Sequence, residues 1–206
     1  MQLFYFPGAC ALAPHIILEW SGRPFDAIAV DKTELKTPDY LALNPTGQVP
    51  ALKIENGYML TQAEAILLFL AEAFEDLDLG PAQDTVERAD MHKWLSFFTG
   101  DLHPAFFPFF NPGKFLADAD LAPAIRQQSF VVIDPLLQIV DRHMKGRDHM
   151  LGDRRTILDP YLFVFCRWTN LLEKKLAAYP NLARVTNLFS KDLGVQRALK
   201  TQGLTS

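Results

Sequence analysis

Cysteine and histidine are the side chains here best suited to covalent or proton chemistry near neutral pH, and their spacing limits what they can do. The 206 residues contain two cysteines, Cys10 and Cys166, far apart and in unlike surroundings. They form neither a disulfide framework nor a close redox pair, and they suit a reducing cytoplasm. His15, His92, His103, His143 and His149 show no ligand spacing with either cysteine, so no metal site is expected. Cys10 follows the apolar run Leu3 to Phe6 and the breaker Pro7-Gly8; Leu12, His15, Ile16 and Trp20 then recur at helical spacing up to Gly22. A cysteine at that junction meets unpaired N–H groups and the positive end of a helix dipole. The expectation is a thiol of depressed pKa, poised as a nucleophile. Its other reading is a small buried apolar residue, since free cysteine is among the most buried types.

Composition bounds the rest. Apolar residues make up 49% and charged residues 21%, ordinary for a soluble globular protein. The net charge of −4 gives no basic footprint for nucleic acid. No apolar run reaches membrane-spanning length, and the first residues lack the basic and apolar regions of a secretory signal.

Several elements must position the thiol. Phe25 to Val30 alternates as a strand, so strand, helix and strand predict a right-handed parallel crossover. Residues 31–40 read as loop and irregular helix. Two apolar runs flank Glu55-Asn56-Gly57, a strong hairpin signal, and Pro50 fits the edge or start of the first strand. Val49-Pro50 is a candidate cis bond. A helix follows over 61–74, with Thr61 and Glu64 spaced as a capping box and Ile66, Leu67, Leu70 and Phe74 as its apolar face. Residues 77–83 read as a linker. Beyond it the pattern is helical: 85–110, 122–144 with Pro135 inside, 156–175, 180–189 and 192–199. Thr156 and Asp159 are spaced as a second capping box, ahead of a nearly all-apolar helix. The fold class is thus α/β plus all-α: a mixed domain over 1–76, then a helical bundle over 84–206.

Read together, four stretches resemble the cytosolic glutathione S-transferases, most closely the bacterial beta class. They are Tyr5-Phe6-Pro7-Gly8-Ala9-Cys10, Asn44-Pro45-x-Gly47-Gln48-Val49-Pro50-Ala51-Leu52, Leu60-Thr61-x-x-x-Ala65-Ile66, and Asp101-Leu102-His103 with Leu151-Gly152-Asp153-Arg154. The resemblance covers nearly the whole chain. It implies an N-terminal thioredoxin-like domain followed by a C-terminal helical bundle. It also implies glutathione as co-substrate, no metal, a small hydrophobic electrophile as the second substrate, a homodimer and a cytoplasmic detoxification role. Residue by residue, it implies that Cys10 faces the glutathione sulfur and forms a mixed disulfide, with Ala9 among the glutathione-binding residues. Val49, before a cis Pro50, would pair with the cysteinyl backbone of the tripeptide. Gln62 and Ala63 would receive the γ-glutamyl end, and His103 would reach toward the thiol as Cys10's catalytic partner.

Four positions depart from the family pattern. Gln62 and Ala63 stand where an acid and a small or hydroxyl residue are usual; Ala11 replaces a common serine, and Pro104 a common lysine. An amide gives the ligand's ammonium a weaker bond than a carboxylate does, so weak glutathione binding is expected. Pro104 should bend its helix beside the site. Tyr5, Phe106, Phe107, Phe110 and Trp168 are candidate walls for the electrophile, with bundle core as their other reading; the aromatic residues 94–110 are also the expected dimer surface. Three functional classes fit these residues: a conjugating transferase, a glutathione-dependent thiol–disulfide reductase at Cys10, and a binding protein that keeps the fold without the chemistry.

Overall fold

The structure, a computed structural model, describes residues 1–83 and 85–205. Residues 84 and 206, the ends of the expected helical region, lie outside the described residues. Close packing divides the chain into two units: 1–80 with 155–164 and 187–206, and 81–154 with 165–186. Packing therefore does not follow chain order, because segments from the C-terminal half group with the sheet.

In the first unit, strands β1 (Gln2–Tyr5), β2 (Asp26–Ala29), β3 (Ala51–Lys53) and β4 (Met59–Thr61) form one sheet in the order β2-β1-β3-β4. The β1–β2 pair is parallel, and β3 runs antiparallel to both β1 and β4. This is the expected thioredoxin-like arrangement. Helix α1 (Leu12–Ser21) ends at Gly22, in the left-handed conformation as its C-cap. A short helix α2 (Pro38–Leu43) and a 3₁₀ turn over Glu34–Lys36 fill the irregular stretch. Helix α3 (Ala63–Ala73) follows the hairpin and buries Ile66, Leu67 and Leu70 completely. Asn56 takes the turn's positive φ of 65°, and its side chain accepts from the Tyr58 N–H.

The second unit opens with α4 (Val86–Phe97), which passes through a wider π turn, Phe98–Leu102, into α5 (His103–Phe110). The single helix expected over 85–110 is therefore interrupted. Pro104 has no N–H to continue the ladder, and the His103 N–H bonds Phe98 O, five residues back. Helix α6 (Ala122–His143) follows, with Pro135 inside it. Helix α7 (Leu158–Thr169) begins in the first unit and ends in the second. It stops before the expected 175, because Asn170 turns the chain: its side chain accepts from Leu176 N, and its carbonyl from the Lys175 ammonium. Helix α8 (Pro180–Phe189) starts on Asp141, which accepts from Asn181 N and Leu182 N at 2.9 and 3.0 Å.

Helix α9 (Leu193–Thr201) returns to the first unit and packs on α1. Asp192 caps it at Gly194 N and Val195 N and also accepts from Trp20 Nε1 at 2.7 Å. Position 194 must be glycine, since a Cβ there would run into the Trp20 ring. Arg197 bridges to Glu19 at 2.7 Å, but that exposed pair adds little; the burial of Val195, Ala198 and Leu199 holds the helix down.

Candidate functional site

The loop from Phe6 to Ala11 carries Cys10 off the end of β1 and into α1. Gly8 takes φ +76°, open to glycine at no cost, and the Ala9 N–H closes the turn on Phe6 O at 3.1 Å. Helix α1 begins on Ala11 with no side-chain cap. The Cys10 sulfur receives hydrogen bonds from the backbone N–H groups of Cys10 and Ala11, and its S–H points to Val49 O at 3.5 Å. The expected depression of its pKa does not occur. Burial, with 7% of the residue exposed, pushes the thiol up to about 12, and the two N–H groups offset this only in part. Cys166 is likewise pushed up to about 12 by burial, so acidity does not separate the two cysteines.

The Val49-Pro50 bond is cis and immediately precedes β3. Ala51 pairs with Thr61 across the β3–β4 hairpin, which brings Pro50 beside Gln62 in register. Thus Ala9, Cys10, Val49, Pro50, Gln62 and Ala63 gather at one end of the sheet. The capping box expected at 61–64 does not form. Thr61 belongs to β4, and the residue preceding α3 is Gln62, with φ +74°, ψ +124° and no side-chain cap. Those angles cost a non-glycine residue on the order of 1–3 kcal/mol, and such strain concentrates at ligand sites. The Gln62 side chain leaves the first N–H groups of α3 uncapped from its own position.

His103 lies at the start of α5, after the π turn, with its ring 5.1 Å from that of Trp168 and 6.0 Å from that of Phe165. Burial holds its imidazole down at about 4, so it is neutral at physiological pH. The proposed electrophile walls divide. Phe106 is fully buried and stacks on Phe110 and Phe165, making it core. Phe110 is 39% exposed and meets Trp168 edge-on; Phe107 is partly exposed against Phe115 and the Lys114 ammonium. Tyr5 belongs to the first unit, and its hydroxyl donates to Thr201 O at 3.2 Å. Of the stretch expected as a dimer surface, Trp94, Leu95, Phe98, Leu102 and Phe106 are buried, while Phe97, Phe107, Phe109 and Phe110 keep part of their surface exposed.

Two residues near the thiol had no sequence signal of function. Tyr161 on α7 is fully buried, which pushes its hydroxyl pKa well up, and the neighbouring Cys10 and Glu64 add to that shift. Within an apolar helix it reads as core. Gln202, just past α9, accepts from the Gly8 N–H at 3.0 Å; nothing in a polar C-terminal stretch marks it. A cavity of about 590 Å³ in the first unit has walls from Leu18, Phe69 and Phe74, and none of the expected site residues lines it. Among the described residues, no group of three or more His, Cys, Asp or Glu is arranged to hold a metal ion, and no helix is long and apolar enough to cross a membrane.

Comparison with known proteins agrees with this geometry. A family profile for the glutathione S-transferase N-terminal domain matches residues 8–73. A glutathione S-transferase of Xanthomonas campestris pv. campestris is 37% identical over 204 residues, covering 99% of this chain and 100% of that one. A bacterial beta class glutathione S-transferase of Sphingomonas chungbukensis superposes with a TM-score of 0.89 at 36% identity over the full length of both chains. A sphingomonad glutathione S-transferase solved in complex with glutathione gives a TM-score of 0.87 at 38% identity, again over both full lengths.

Proposed function

Because the chain belongs to the glutathione S-transferase family, we propose that it joins glutathione to small apolar electrophiles, as a cytoplasmic homodimer with a detoxification role. The carrying observation is the sheet end itself, where Cys10 Sγ, the Val49 carbonyl and the uncapped start of α3 meet. In this reading the γ-glutamyl carboxylate lies on the open N–H groups of α3, where a helix N-terminus favours an anion. Gln62 accepts from the ligand's ammonium. Ala63 lets the ligand approach the helix closely, and the Val49 backbone pairs with the cysteinyl unit. The glutathione sulfur lies beside Cys10, with Ala9 behind it.

Cys10 is a protonated thiol at neutral pH, so the nucleophile in conjugation is the thiolate of glutathione. That sulfur attacks the electrophilic carbon, a C–S bond forms, the leaving group departs with its electron pair, and the thiol proton passes to solvent. The Cys10 S–H, released from Val49 O once that carbonyl pairs with the ligand, is the donor closest to the thiolate. His103, neutral, is a further donor in this reading, and Phe107, Phe110 and Trp168 receive the apolar body of the electrophile. Exposed Val131, Val132 and Ile139 on α6 supply apolar surface for a second copy.

The test is turnover of an activated aryl halide with glutathione. Wild-type protein and Cys10→Ala should both conjugate, the variant more slowly, and His103→Ala should lose activity at unchanged fold. With oxidised glutathione, Cys10 should take one adduct: its sulfur forms a new S–S bond, the old one breaks, and one glutathione leaves as thiolate. Because burial pushes the thiol up to about 12, that rate should climb about tenfold per pH unit between roughly pH 7 and 9. No turnover together with an adduct on Cys10 would mean a thiol–disulfide enzyme; neither would mean a binding protein. Sedimentation giving a monomer at micromolar concentration removes the homodimer.

A further inference from the structure

We propose that Gln202 is a positioning residue for the Cys10 loop, with its amide held in one orientation by His15. This rests on the reading of Cys10 as a site residue. The contacts form a chain. The Gly8 N–H, two residues before Cys10, donates to Gln202 Oε1 at 3.0 Å, and Gln202 Nε2 lies 3.0 Å from His15 Nδ1. A backbone N–H can only donate, so the amide must turn its oxygen to Gly8 and its NH₂ to the histidine. His15 Nδ1 must then accept, and the ring proton sits on Nε2.

Everything around His15 keeps it in that state. It is fully buried, with its ring 5.5 Å from Tyr5 on one side and 5.5 Å from Phe25 on another. Burial holds it neutral, at about 4, which is the state the Gln202 amide requires. Its Nε2 is 3.8 Å from Glu19 Oε1, beyond hydrogen-bond reach, and has no other partner. Glu19 is itself held by Arg197. The loop is thus fastened from the chain's far end. Gln202 follows α9, Tyr5 OH reaches Thr201 O, and Leu204 approaches Gly8. None of these groups touches the thiol, yet together they fix the turn that presents it.

A purely structural role would be indifferent to which way the amide faces, and a positioning role would not. In the full-length protein, Gln202→Met removes both polar contacts at similar volume. It should slow glutathione adduct formation at Cys10 roughly tenfold and raise the KM for glutathione more than it lowers kcat. His15→Asn keeps an oxygen near the Nδ1 position and should stay within twofold of wild type. His15→Leu frees the amide to flip and should fall as far as Gln202→Met, and the double variant His15→Leu/Gln202→Met no further. A folded Gln202→Met that reacts like wild type overturns the proposal. Should that variant not fold, the histidine pair decides: equal rates for His15→Asn and His15→Leu overturn it. The reading of Cys10 fails separately, if the wild-type adduct maps to Cys166.

Discussion

Two helix starts in the first unit share a sequence signature and behave in opposite ways. Thr156-Ile157-Leu158-Asp159 and Thr61-Gln62-Ala63-Glu64 both offer a hydroxyl followed three residues later by a carboxylate. At α7 the signature becomes a closed box. Asp159 Oδ2 accepts from Thr156 N at 2.6 Å and from Thr156 Oγ1 at 3.2 Å, and Leu158 N donates back to the threonine hydroxyl at 3.3 Å. Both residues are fully buried. At α3, Thr61 is drawn into the β3–β4 ladder, and Gln62 is forced to φ +74° with its side chain making no cap hydrogen bond. The chain closes the helix start that belongs to its core and leaves open the one beside Cys10. An unsatisfied helix start costs stability unless something from outside completes it, and an anionic ligand can.

Breaking the closed box should have the largest effect. Asp159→Ala leaves the Thr156 N–H and hydroxyl without their buried acceptor, for a loss on the order of 3 kcal/mol. In a chain of this size that corresponds to a fall in Tm of roughly 10 °C, read by calorimetry. A loss below about 1 kcal/mol would mean that the box is not what holds the start of α7.

The same pair shows what the sequence could and could not reveal. The Asn56-Gly57 turn, the Gly22 C-cap and the α7 box were legible because local chemistry decides each of them. The start of α3 was not, because a strand pairing won Thr61 from the helix. The place of Cys10 between β1 and α1 was legible, but its acidity was not. The helix-start N–H groups could be read from the pattern, whereas the burial that outweighs them comes from segments distant in sequence. Gln202 and Tyr161 were invisible for the same reason: each reaches the Cys10 neighbourhood only through tertiary packing.

A matched pair sharpens the contrast at lower cost to the fold. Thr156→Val removes a hydroxyl that both donates and accepts, and should destabilise by about 1–2 kcal/mol. Thr61→Val makes the same change in a strand that favours β-branched residues, and should stay within about 0.5 kcal/mol. Urea denaturation at constant slope reads both. Equal losses would mean that Thr61 caps α3 in solution, and the difference between the two helix starts would disappear.

The smallest effects test what the open start is for. Gln62→Gly removes the conflict between a side chain and φ +74°, so it should stabilise the free protein by about 1 kcal/mol. It also removes the amide, so glutathione should bind several-fold more weakly, as seen by titration calorimetry. Gln62→Glu keeps the strain and adds charge. A charged hydrogen bond nets about 1.5–3 kcal/mol against about 1 for a neutral one, so glutathione should bind several-fold to tenfold more tightly, with thermal stability nearly unchanged. The two variants therefore move stability and affinity apart: glycine raises the first and lowers the second, while glutamate leaves the first and raises the second. If both variants bind glutathione like the wild type, Gln62 does not touch the γ-glutamyl group. The strain at position 62 would then serve only to turn β4 into α3, and the open helix start would have lost its ligand.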